Sequence, residues 1–413
     1  MTHRGFRHTQ ELFERARRVV PSGIYGHQTP RMLVEGAYPY FFDRGEGCHV
    51  WDVDGNEYID YMCSYGPIVL GHNHPVVEAA AMAQRRKGDC FNGPTPLWVE
   101  LGEHLVALTP WADWTVFAKN GSDVCTWAVE VAREHTGRTK VVKAEGAYHG
   151  THAWTTPSAA GTTAADRADV LTFRWNELDD LERVIDSHQG QVAAVMLTPF
   201  RHDAFRDQEL PAPGFLAGVR RLAAQHDIVL VLDDVRAGFR LDLRGSGAHF
   251  GVEPDLTCYS KAIANGYPLS ACLGRERLRG AAERVFFTGS YFTAAVPMAA
   301  ALACLRELET ANAIERMRQL GETLRCGLAE QAGSYRLEIR QSGPPALPFL
   351  TFAADAGKFA RSRQFCAECC ARGVYFHPHH NWFLSAAHTE EDLRRTLEAT
   401  DAAFAAVRRE FGC

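Results

Sequence analysis

Long apolar runs, blocks of like charge and lysine are all scarce in this chain of 413 residues. The longest weakly polar stretch, Thr293 to Leu305, contains Pro297 and falls short of the ~18 apolar residues a spanning helix needs, so no membrane span is expected. Lysine and arginine total 44 against 50 aspartates and glutamates, a net charge of −6 spread along the chain. That balance excludes a nucleic-acid groove or an anionic membrane as the main partner and favours a small molecule. No fixed-period repeat and no low-complexity segment occurs beyond mild alanine enrichment. Met1 to His8 is basic, but no apolar segment of a signal peptide follows it, which makes the cytoplasm the expected compartment. Twelve cysteines, unevenly spaced and often set in apolar runs such as Ala299 to Leu305, read as buried free thiols rather than a disulfide framework.

What is present reads as a large globular protein. At roughly one domain per 150 residues the length allows two or three domains, and 46% hydrophobic with 23% charged residues is a soluble, foldable composition. Glu11 to Val20 predicts a short helix stopped by Pro21-Ser22-Gly23, and His49 to Asp60 a hairpin turning at Asp54-Gly55. Helical patterns over Pro75 to Lys87, Leu97 to Leu108 and Ser122 to His135 then alternate with β-rich runs at Trp114 to Ala118, Thr139 to Lys143, Val192 to Leu197 and Ile228 to Leu232. That alternation predicts an α/β fold with a mostly parallel, doubly covered sheet. Ile228 to Leu232 is apolar throughout, as a central strand buried on both faces should be. After Ser290 come helices at Pro297 to Glu309 and Ala313 to Gln331, strands at Tyr335 to Arg340 and Leu347 to Phe352, and helices at Lys358 to Arg372 and Thr389 to Arg409. The expected division is residues 1–65 joining a smaller α+β domain, 66–300 as the large domain and 301–413 completing the small one, with one long helix bridging the parts.

Of the 44 basic residues only six are lysine. Lys87, Lys140, Lys143 and Lys358 sit in polar settings and read as solvated, whereas Lys261 follows the apolar segment Leu256 to Ser260 and precedes Ala262-Ile263-Ala264. An ammonium there is costly unless paired, bonded or neutralised; the alternative is a structural lysine whose amine snorkels to water. Asp233-Asp234 directly follows the buried strand, at the carboxyl end where open α/β sheets bind ligands. One of these carboxylates could meet a cofactor ring nitrogen or a nucleotide-bound Mg²⁺, or merely cap the next segment. Lys119-Asn120-Gly121-Ser122-Asp123 joins a strand to a helix, which makes either an anion site or a plain cap on Ser122. Neither G-x-x-x-x-G-K-[ST] nor a helix-opening G-x-G-x-x-G occurs, so nucleotide and nicotinamide readings lose their support. An anion site, a strand-end acid and an isolated lysine fit pyridoxal 5′-phosphate better.

These residues lie within longer motifs: Val50 to Asp60, Ser64 to Pro75, Glu145 to Gly150, Leu232 to Arg240, Ser260-Lys261-Ala262 and Phe383 to Asp392. Through them the chain resembles, over almost its whole length, the class III, fold-type I aminotransferases, in particular the branch around glutamate-1-semialdehyde aminomutase. The resemblance implies a pyridoxal-phosphate enzyme that transfers an amino group from an amino acid or amine to a keto or aldehyde acceptor, with an intramolecular aminomutase as the alternative. It implies that Lys261 forms the Schiff base, Asp233 holds the pyridinium proton, Val235 lies under the ring and Tyr148, followed by His149, covers it. Gly121 and Ser122 match the phosphate loop. In the family a threonine shortly before a proline reaches the neighbouring subunit's phosphate; Thr293 holds that place before Pro297, one residue closer than usual, which implies a homodimer with composite sites.

The chain also departs from the family pattern. Asn120-Gly121-Ser122-Asp123 stands for Ser-Gly-Thr-Glu, and Asp233-Asp234-Val235-Arg236 for Asp-Glu-Val-Gln or Met. Arg236 is expected either to pair with Asp234 or to reach a substrate anion. Arg31, displaced from the usual distance after Pro21-Ser22-Gly23, is the candidate for a substrate carboxylate, and Tyr65 is a further substrate candidate. His377-Pro378-His379-His380 replaces the branch's acidic gating residue, placing His379 at the substrate mouth. Zinc on these histidines with Cys366 and Cys370 is the weaker reading, because no second paired spacing occurs. No metal is expected.

Overall fold

The computed structural model describes residues 5–355 and 357–412. The chain forms two compact units: a sheet unit, Pro75–Asp203 with Glu209–Ile314, and a terminal unit, Met1–His74 with Ala204–Gln208 and Glu315–Cys413.

The sheet unit holds seven strands, β1 (Trp114–Ala118), β2 (Lys140–Ala144), β3 (Val170–Phe173), β4 (Val192–Leu197), β5 (Val229–Asp233), β6 (Leu256–Tyr259) and β7 (Ser270–Gly274). Their spatial order is β1-β7-β6-β5-β4-β2-β3, and β7 alone runs antiparallel to its neighbours. β4 and β5 are buried at every position, as their unbroken apolar sequences require. Successive side chains serve opposite faces. Val229 and Val231 join Val124, Trp127 and Val131 of the helix α1 (Gly121–Thr136) in one core, while Leu230 joins Leu181, Val195 and Leu222 in the other. Since β7 reverses between two strands of common direction, the carboxyl ends of β1, β2, β5 and β6 share one edge of the sheet.

In the terminal unit, Phe42–Glu46, His49–Asp52 and Glu57–Asp60 form an antiparallel meander. Its last turn is set by Asp52 Oδ1, which accepts from the N–H groups of Asp54 and Asn56, and by Gly55 at φ 85°. Glu57–Asp60 pairs in parallel with Val374–Tyr375. A hairpin of Ile339–Ser342 and Phe349–Phe352 packs with the helices Ala360–Ala371 and Glu390–Phe411, where Phe365 lies 4.7 Å from Phe404, centroid to centroid. The strand expected from Tyr335 begins at Ile339 instead. The preceding helix runs to Ser334, and left-handed Arg336 (φ 56°) ends it, with Leu337 N–H donating to Ala332 O.

Candidate active site

At the shared edge β6 delivers Ser260, whose hydroxyl donates to Leu269 O, and then Lys261 in the left-handed region at φ 48°. A non-glycine residue there costs about 1 kcal/mol or more, so the surrounding chain must hold it in place. Lys261 keeps partial access to solvent, and no hydrogen bond engages its amine among the described residues. Burial, reinforced by the Arg236 guanidinium, lowers its pKa to about 7, against the opposing pull of Asp233. At neutral pH much of this amine is a free base, which a solvated lysine is not.

β5 ends in Asp233, which is buried. His149 Nδ1 lies 2.7 Å from Asp233 Oδ2, and Val235 N–H donates to Oδ1 at 3.2 Å. Gly121 approaches so closely that a Cβ on it would stand 2.9 Å from both Val235 methyls. Gly150 approaches Ser122 in the same way, and Thr151 N–H donates to Ser122 Oγ. Tyr148 is half-buried; burial and then Asp233 raise its pKa. The structure thus brings together Gly121, Ser122, His149, Asp233 and Val235, with Tyr148 and Lys261 within electrostatic reach of Asp233.

Asn120, not Ser122, is the N-cap of α1, in a capping box with Asp123. Ser122 is therefore not the cap. The N–H groups of Gly121 and Ser122 have no partner among the described residues, while that of Asp123 reaches Asn120 O. Two free donors at a helix N-terminus, a buried carboxylate held by a histidine and an amine of depressed basicity are the donor set that pyridoxal 5′-phosphate needs. The residues fit that cofactor.

Two expectations change here. Asp234 does not pair with Arg236: it accepts from Ser246 N–H at 2.7 Å, and burial raises its pKa to about 7. Arg236 is buried, donates from Nη1 to His202 O at 2.7 Å, and feels the carboxylates of Asp203 and Asp233. Lys143 is not solvated, since its amine donates to Ala147 O at 2.8 Å and anchors the loop that carries Tyr148 and His149. His202 is a buried residue that the sequence did not announce; burial, then Arg236 and Lys261, push its pKa well down.

Thr293 belongs to the sheet unit, and the substrate candidates belong to the terminal unit. Arg31 is exposed on a short turn, Pro30–Met32. His379 Nδ1 meets Met32 O at 3.0 Å, and its ring stacks on Phe205 at 4.7 Å, so this histidine supports the turn that carries Arg31. Tyr65 donates to His27 O and faces His380 edge-on at 5.3 Å. Cys63, Ser64 and Tyr65 are all left-handed (φ 46°, 54° and 62°), a run of strain that no composition signal reveals. Among the described residues the one grouping with metal-ligand geometry is Cys48, His49 and Asp392, away from the predicted histidines. His49 there bridges two carboxylates, Asp392 at 3.0 Å and Glu57 at 2.8 Å, so the grouping reads as an ion cluster with a neighbouring thiol.

The profile of the family described as Aminotransferase class-III matches residues 33–399. The aminopentol aminotransferase of Sphingopyxis macrogoltabida is 46% identical over 402 residues, 97% of this chain and 95% of that protein. A 3-aminobutyryl-CoA aminotransferase of Cloacimonas acidaminovorans is 34% identical over 97% of both chains. A glutamate-1-semialdehyde 2,1-aminomutase of Desulforamulus reducens is 32% identical over 98% of this chain and 99% of its own. Among solved structures, the PLP internal aldimine form of the FumI protein of Sphingopyxis sp. MTA144 superposes with a TM-score of 0.96 at 46% identity, covering 98% of this chain and 97% of that one.

Proposed function

The chain belongs to the class-III aminotransferase family, enzymes that move amino groups with pyridoxal 5′-phosphate, and from that premise we propose which residues do the work and which amine they serve. When bound, the cofactor supplies an electron sink for the carbanion left at the substrate carbon. Lys261 would attach it, and the free amine of Lys261 would hold and move the proton at that carbon. Asp233 keeps a proton on the ring nitrogen, and His149 fixes the orientation of Asp233. Val235, against which Gly121 packs, and Tyr148 would hold the ring between them. The free N–H groups of Gly121 and Ser122 receive the phosphate. The observation that carries this reading is the depressed basicity of Lys261 at the same sheet edge as the histidine-bonded Asp233.

For the donor we propose an amine on an extended, hydroxylated chain, supported by the 46% identity to an enzyme named for aminopentol. Arg31 and Tyr65 are proposed to meet the substrates, with His379 supporting the turn that carries Arg31; the acceptor is a keto or aldehyde compound. The lower identity to the aminomutase, 32%, supports transfer between two molecules over rearrangement within one, and a requirement for added carbonyl acceptor tests that choice. The working unit is proposed to be a homodimer in which Thr293 serves the neighbouring site, a reading supported by the exposure of Phe286 (86%) and Tyr291 (65%) just before it. A cytoplasmic setting suits the eleven free cysteines of the described residues. No helix of the described residues is long and apolar enough to cross a membrane. Borohydride reduction of the holoenzyme followed by peptide mapping is the direct test: the tag is expected on Lys261, and a tag elsewhere overturns the assignment.

A further inference from the structure

The loop after β2 meets α1 at two positions one helical turn apart. Thr151 N–H donates to Ser122 Oγ at 3.1 Å, and the Thr126 hydroxyl lies 2.7 Å from His152 Nδ1 and 2.9 Å from Trp154 Nε1. Residues four apart on a helix share a face, so the loop lies along α1 rather than touching it once. An indole N–H can only donate, so the Thr126 oxygen accepts from Trp154 and its own proton is free for His152 Nδ1. Trp154 also packs against the core that α1 shares with the sheet. Packing alone would keep the loop near the helix but leave it free to slide along it. Two directed bonds to one oxygen fix the register.

The same loop reaches the proposed catalytic acid. Lys143, near the end of β2, closes its neck, because its amine donates to Ala147 O at 2.8 Å and to Thr155 Oγ1 at 3.4 Å. Between those two points comes His149, whose Nδ1 lies 2.7 Å from Asp233 Oδ2. Gly150 follows at φ 123°, pressed so closely on Ser122 that a Cβ would stand 2.6 Å from its Oγ. The stretch from His149 to Trp154 therefore links two parts of the proposed cofactor site that lie on different elements: the acid at the end of β5 and the free N–H groups at the start of α1. Thr126 sits a full turn, about 6 Å, beyond those N–H groups, and its hydroxyl is taken up by the loop. Its influence on the site runs through the loop.

We propose that Thr126 is a positioning residue: its hydroxyl, engaged by Trp154 and His152, locks the loop after β2 onto the helix that offers its N–H groups to the phosphate, and so holds His149 against Asp233. The inference rests on the cofactor reading proposed above. Peptide mapping of the reduced wild-type enzyme tests that reading alone, and the first measurement below needs no cofactor, so the two can fail separately.

The test compares Thr126→Val, which keeps the shape of the side chain and removes the hydroxyl, with Thr126→Ser, which keeps the hydroxyl. In the apoenzyme, Thr126→Val is expected to speed amide hydrogen exchange about tenfold over His149 to Trp154 while exchange in β4 stays as it was. In the holoenzyme it should weaken binding of pyridoxal 5′-phosphate about tenfold and lower kcat several-fold at a near-constant donor KM, with Thr126→Ser within about twofold of wild type. His149→Phe and the variant carrying both His149→Phe and Thr126→Val complete a cycle. If the hydroxyl acts through His149, the double variant binds the cofactor at most about twofold more weakly than His149→Phe alone. His152→Ala, at an exposed residue, repeats the exchange measurement if Thr126→Val fails to fold, with about threefold faster exchange expected. Unchanged exchange in Thr126→Val, or in His152→Ala in its place, overturns the proposal. So does Thr126→Ser behaving like Thr126→Val, because the methyl and not the hydroxyl would then hold the loop. A further tenfold loss in the double variant overturns it as well, since Thr126 would then have no route through His149.

Discussion

Lys261 pays for its position twice, in a left-handed backbone and in an amine that burial makes a poor base. Both costs suit a residue that must react. Two substitutions test this scale. Lys261→Ala is expected to abolish turnover while leaving the circular dichroism spectrum unchanged; steady-state transamination by that variant would remove the central assignment. Because the neutral amine is the nucleophile, capture of added cofactor by the apoenzyme should accelerate as pH rises through about 7 and then level off, whereas an ordinary lysine would keep accelerating to ~10. Gly121→Ala places a Cβ 2.9 Å from the Val235 methyls, and the strain of about 1–2 kcal/mol should weaken cofactor binding about tenfold by fluorescence titration. Lys261 and Asp233 stand out in the sequence because each sits at the carboxyl end of an apolar run, where a charge is costly; a snorkelling lysine and a capping aspartate were the plainer alternatives. The setting of Arg236 was not, since its burial and its partner depend on His202, 34 residues away. The left-handed run Cys63 to Tyr65 was also unreadable, because none of its three residues is glycine.

Among the elements, the sheet strands were the most legible. Trp114–Ala118 and Val192–Leu197 have the bounds that the sequence predicts; Val192–Leu197 is buried at every position, so its unbroken apolar run marks both ends. The last helix, expected from Thr389, starts with that residue as its N-cap, and the cap is shared across the chain. Asp392 closes a capping box with Thr389 at the start of Glu390–Phe411 and also receives His49 Nε2 at 3.0 Å and Cys48 Sγ. Burial alone would raise the pKa of Asp392, but the bonds from His49, Thr389 and Cys48 outweigh it and hold the carboxyl well below the carboxylate range. The bond to Asp392 raises the pKa of His49. The lowered carboxylate contributes stability at pH values above its ordinary range and loses it as pH falls through the folded value. The raised imidazole contributes fully below ~6.5 and loses its share as pH rises through the folded value. Asp392→Asn should therefore cost about 2 kcal/mol in denaturant unfolding at pH 5.5 and clearly less at pH 8.5. An equal penalty at both values would show that only the cap matters.

For the molecule as a whole, cofactor binding and self-association are the measurable consequences. Removing pyridoxal 5′-phosphate should lower Tm, and restoring it at 100 times Kd should return about 2.7 kcal/mol, because the ligand binds only the folded site. Light scattering should give a dimer mass near twice 45.8 kDa, and Phe286→Glu, at a residue 86% exposed in one chain, should shift that mass toward the single chain. A dimer that survives the substitution intact would move the interface elsewhere.

The pairing of Glu57–Asp60 with Val374–Tyr375 joins residues more than 300 positions apart, within a unit drawn from both ends of the chain. On the ribosome, the stretch that builds the seven-stranded sheet emerges whole long before the meander meets its fourth strand. Nascent chains halted some tens of residues beyond Ile314 should therefore carry a protease-resistant sheet and a still-digestible amino-terminal arm, and that arm should become resistant only when synthesis passes Tyr375.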